Sequence, residues 1–120
     1  MSEQTSSKKN ELSLVTSIFE WFQGFFQKTG QITVVPIMTY EEALKYFIQE
    51  RPKNNPQIKK GAISRQKHSK GYLLAWAFLD QDEELVSDDN GNPYGRQLIA
   101  QKLDKELAET FGDSDLIVVQ

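Results

Sequence analysis

The chain has 120 residues, with 14 Lys and Arg against 17 Asp and Glu, and carries a formal net charge of −3. It contains no cysteine, which excludes disulfide bonds and thiol catalysis, and its acidic balance argues against a general nucleic-acid binder. No apolar run approaches the roughly 20 residues that a membrane span needs.

Residues 1–10 are polar and rich in Ser and Lys. They lack the apolar stretch that follows a charged start in a signal peptide, and no small-residue cleavage site comes after residues 12–26. The expectation is a cytoplasmic protein in which residues 1–10 form a flexible tail and residues 11–120 a single domain.

The first element is a predicted helix over residues 11–28, with Asn10 as its cap and Gly30 as its stop. At about 100° per residue its apolar and polar side chains separate completely. Leu12, Leu14, Val15, Ile18, Phe19, Trp21, Phe22, Phe25 and Phe26 fill one half of the wheel. So large an aromatic load must be buried in the core, against a partner or at a lipid interface. Leu14, Trp21 and Phe25 lie toward one edge of the arc, while Val15, Phe19, Phe22 and Phe26 lie toward its centre and other edge. If the second set faces the core, Leu14, Trp21 and Phe25 are left to contact a protein partner or a second copy. The polar side holds Ser, Thr, Gln and Gly, as in helices that sense lipid packing, so peripheral membrane attachment through residues 11–28 is a further possibility. A Lys/Arg-rich face would be its stronger sign.

A β-branched strand is predicted over 31–37, with Pro36 near its end or on an edge. Thr39 and Glu42 form a capping box, and the helix behind it should bury Tyr40, Ala43, Leu44, Phe47 and Ile48 before Arg51-Pro52 ends it. Strands follow over 61–67 and 72–79, joined by the turn His68-Ser69-Lys70-Gly71. The second is apolar on both sides, Tyr72, Leu74, Trp76 and Phe78 alternating with Leu73, Ala75, Ala77 and Leu79. It therefore reads as a central strand covered on both faces: one face by the helices around Phe47 and Leu103, the other by the N-terminal helix. A turn at 80–82, a short strand over 84–87 and a turn at 88–91 come next. Asn92-Pro93 then cap a predicted helix with Ile99, Ala100, Leu103, Leu107 and Phe111 on its core side, stopped by Gly112. Residues 116–119 form a last strand. The predicted fold is α+β: the N-terminal helix followed by β-α-β-β-β-α-β, with helices packed on a mixed or antiparallel sheet.

Candidate chemistry is sparse. His68, the one histidine, lies in a turn with no nucleophile suggested beside it. Asp80, Asp82, Asp88 and Asp89 invite a carboxylate site, and a small enzyme or ligand-binding domain built there is the alternative from another class. The stretch fails the EF-hand pattern, because Val86 or Leu85 falls where a ligand or glycine is required, and two hairpin turns explain the acids. Gly91 to Arg96 holds two glycines but neither a phosphate loop nor a dinucleotide fingerprint. Residues 51–70 carry seven basic residues and no acid, whereas residues 80–115 carry eleven acids. No stacking platform accompanies the basic run, so nucleic acid is not an expected partner. No catalytic residue, metal ligand or cofactor site is predicted.

The phrases Lys59-Lys60-Gly61-Ala62 and Asn92-Pro93-Tyr94-Gly95-Arg96 resemble small cyanobacterial α+β proteins of assembly-factor type. They cover nine residues, and no functional residue is carried over. The resemblance implies a protein that binds another protein. With the aromatic excess and the sorted charge, it leads to the expectation of a non-enzymatic adaptor or assembly factor, acting through Leu14, Trp21 and Phe25 on a protein partner or a second copy.

Overall fold

A computed structural model describes residues 13–20, 32–91 and 94–120. Residues 13–20 are helical (α1). There follow β1 (Val34–Val35), α2 (Tyr40–Glu50), β2 (Lys60–His68), β3 (Gly71–Leu79), β4 (Gly95–Ala100), α3 (Lys105–Phe111) and β5 (Leu116–Val119). The strands form one mixed sheet in the order β1-β4-β3-β2-β5. β1 runs parallel to β4, and the other neighbours are antiparallel.

β3 holds the centre because both of its sides are apolar. Leu74, Trp76 and Phe78 face α2 and α3, in a core with Met38, Ala43, Phe47, Ile63, Leu98, Leu107 and Phe111. Ala75, Ala77 and Leu79 face the opposite way and, with Ala62, meet Leu14 and Ile18 of α1. The alternation of period two thus sends one strand's residues into two separate cores. The first core is aromatic. The Tyr46 ring stands 5.8–6.1 Å from those of Phe47, Trp76 and Phe78, and Phe47 stands 5.5 Å from Phe78, centroid to centroid; the Trp76 indole N–H donates to the Ala43 carbonyl at 2.9 Å. Gly61 makes room for this packing, since a Cβ there would stand 2.5 Å from the Phe47 ring.

Thr39 caps α2, its hydroxyl accepting from the Glu42 amide at 3.1 Å and donating to the Glu42 carboxylate at 3.2 Å, and α2 buries Ala43 and Phe47. Ile48 departs from expectation at 81% exposed. The buried arc is centred between Ala43 and Phe47 and pulled toward Tyr46, whose ring reaches Trp76 and Phe78. Ile48 lies about 100° beyond Phe47 on the other side.

The largest correction concerns the single helix expected behind Asn92-Pro93. Residues 95–100 are strand β4, and the helix is confined to Lys105–Phe111. Leu98 and Ile99 are both buried on opposite sides of the sheet. A continuous apolar run fits either period; hydrogen bonding to β3 on one side and β1 on the other decides for the strand. The cap of α3 is Asp104, whose carboxylate accepts from the Leu107 amide at 2.8 Å and from the Tyr40 amide at 3.1 Å, so it also ties α3 to the start of α2. Asn92 and Pro93 lie outside the described residues. The strand expected over 84–87 reduces to isolated bridging, with Leu85 opposite Leu79, and the strand over 31–37 shortens to Val34–Val35. The fold is α+β with a mixed sheet, as expected, and among the described residues the third consecutive strand is residues 95–100.

Candidate functional site

The face of the sheet opposite α2 and α3 is floored with small side chains. Ala62, Ala75 and Ala77 are fully buried there, and such a floor lets a helix approach closely. Leu14 and Ile18, one turn apart on α1, are 7% and 0% exposed. Val15 and Phe19, on the flank of the same helix, are only half-buried. Beside them a groove of about 590 Å³ opens between α1 and the sheet. Val15, Thr16, Phe19 and Glu20 form one wall; Gln66, Leu73 and Gln97 form the floor, and Arg65, Lys67 and Asp115 complete the lining. Its apolar content comes from Val15, Phe19 and Leu73; Arg65 and Lys67 alternate onto the other face of the sheet with Leu74 and Tyr72, where the Arg65 guanidinium meets Phe111 and Asp115.

Leu14 therefore lies against the sheet and not on an outer edge of the helix. Trp21 and Phe25 lie outside the described residues. The groove itself was not legible in the sequence, because Phe19 and Leu73 come from elements that only the fold brings together.

The acidic stretch serves its own turns. The Asp80 carboxylate accepts from the Asp82 and Glu84 amides at 2.8 and 3.0 Å, and the Asp88 carboxylate accepts from the Asn90 amide at 2.9 Å. Glu83, in the left-handed region at φ 61°, pairs with Lys60 at 2.9 Å. Among the described residues, no three His, Cys, Asp or Glu side chains are grouped as metal ligands. His68 likewise closes a turn, its Nδ1 accepting from the Lys70 amide at 3.0 Å.

Two arginines of the basic run, like Lys60, make structural contacts. Arg51 donates to the Ile58 carbonyl at 2.8 Å. Arg65 contacts Asp115 at 3.2 Å, donates to the Gly112 and Ser114 carbonyls at 3.2 and 2.9 Å, and lies 4.5 Å from the Phe111 ring. It thereby closes the C-terminus of α3, a role hidden in the sequence because its partners are 47–50 residues away.

A second arginine over aromatic rings, Arg96, lies 5.5 and 5.3 Å from those of Tyr46 and Trp76. Burial pushes the Tyr46 hydroxyl up to about 12; Arg96 opposes that shift and Glu50 adds to it. No helix among the described residues is long and apolar enough to cross a membrane. In comparisons with known proteins, no family model, curated protein or solved structure matches the chain.

Proposed function

We propose that this chain is a non-enzymatic adaptor or assembly factor of the cytoplasm that holds an apolar segment of another polypeptide, which can be a second copy, beside its N-terminal helix. The observation that carries this reading is the groove beside α1. Its half-buried Val15, Phe19 and Leu73 offer apolar surface beside the polar Thr16, Gln66 and Gln97, the mixture of apolar centre and polar margin that interfaces use. The sequence after residue 20 holds Trp21, Phe22, Phe25 and Phe26, aromatic residues of the kind enriched at interface cores. The carboxylates near Asp80 and Asp88 are engaged by backbone amides of their own turns, which favours binding over chemistry. On this reading nucleic acid is not a partner.

The test compares the wild-type chain with the double variant Trp21→Ala/Phe25→Ala, each purified from its native source alongside a thermal melt. A polypeptide that co-purifies stoichiometrically with the wild type and is lost from the variant, at an unchanged melting temperature, is the expected outcome. Unchanged association with a collapsed melting temperature would make the helix simply part of the core.

A further inference from the structure

We infer that Ser114 guards the outer edge of β5 against pairing with a second copy of this chain. A strand at the end of a sheet presents unpaired N–H and C=O groups, a ready template for another strand. Among the described residues β5 pairs with β2 alone, and Leu116-Ile117-Val118-Val119 contains no charge and no proline. The Arg65 amide donates to the Asp115 carbonyl at 2.9 Å, and the antiparallel register continues from it through Ile63 opposite Ile117 and Gly61 opposite Val119. Residues 115, 117 and 119 thus bond to β2, and the main-chain groups of Leu116 and Val118 point outward.

Both outward groups of Leu116 are already taken. Its amide donates to the Ser114 hydroxyl at 3.0 Å, and the same hydroxyl donates to the Leu116 carbonyl at 3.0 Å. Val118, 38% exposed, is the remaining outward position among the described residues of this edge. The arrangement is self-complementary about Ile117. When two β5 strands meet antiparallel there, Leu116 of one copy stands opposite Val118 of the other, and every inter-strand bond uses an N–H or C=O of a Leu116. One hydroxyl therefore blocks the whole register. The opposite edge is protected by other means: β1 has two residues and is followed by Pro36, which has no amide proton. This inference is independent of the groove beside α1.

The test is sedimentation of the full chain over a range of concentrations. Ser114→Ala frees both Leu116 groups and is expected to associate about tenfold more tightly than the wild type, the worth of a net main-chain bond or two. Ser114→Thr, which keeps the hydroxyl, is expected to sediment as the wild type does. Adding Val118→Pro to Ser114→Ala is expected to abolish the gain. Ser114→Ala sedimenting like the wild type with its melting transition intact would overturn the proposal, as would association that survives Val118→Pro. Hydrogen exchange on the wild type reads the guard without any substitution: the Leu116 amide is expected to exchange more slowly than that of Val118, and equally fast exchange at both would overturn the guard.

Discussion

Trp76 joins the two apolar layers of the first core. It is 1% exposed, bonds through its indole N–H to the Ala43 carbonyl and packs against Tyr46 and Arg96. Trp76→Ala removes a ring that the surrounding strand and helix cannot collapse to replace, and should cost about 3–5 kcal/mol in urea unfolding. A loss below about 1 kcal/mol would contradict its place in the core. Tyr46 gives a pH-dependent readout. Its hydroxyl is raised from 10.0 to about 12, chiefly by burial, so the folded state keeps a proton that the unfolded state has released. The stabilisation is complete below pH 10 and is lost as pH rises from 10 toward 12. The melting temperature should fall over that window by less in Tyr46→Phe than in the wild type, and one of the four tyrosines should titrate near 12 by phenolate absorbance. Four coincident titrations near 10 would contradict it.

Elements with a local cap or a period of their own were legible in the sequence. The Thr39 cap, the two-sided run of β3 and the β2–β3 hairpin all appear where their residues indicate. β4 was not legible, because Leu98-Ile99-Ala100 with Leu103, Leu107 and Phe111 also spells a helical stripe, and only its neighbours β1 and β3 settle the matter. Arg65 was hidden for the same reason at the level of a side chain. The hairpin gives a prediction at this scale. Gly71 has φ 140°, and a Cβ there would stand 2.3 Å from the Ala100 carbonyl oxygen and 2.7 Å from the Gln101 Cα, both main-chain atoms of or beside β4. Gly91, at φ 82°, has nothing within 4 Å of the corresponding position. Gly71→Ala therefore meets both strain and collision, and should lose about 1–3 kcal/mol and more than Gly91→Ala. The comparison is by thermal melt. Equal losses would mean that the approach to β4 carries no cost.

At the scale of the whole molecule, one sheet divides its apolar residues between two faces of different character. The aromatic face is closed by α2 and α3. The other rests small alanines against Leu14 and Ile18 and leaves a groove beside Phe19 and Leu73. Charge sorted along the sequence becomes local pairing in the fold, Lys60 with Glu83 and Arg65 with Asp115, which leaves the apolar groove beside Phe19 and Leu73 as the setting for recognition. The most direct measurement places a photoreactive residue at Gln66, exposed on the groove floor, with a control at Glu41, exposed on α2 across the sheet. The protein-binding proposal predicts one discrete adduct to a second polypeptide from Gln66, none from Glu41, and loss of that adduct with Trp21→Ala/Phe25→Ala. Equal adducts from both positions, or none from Gln66, would contradict it.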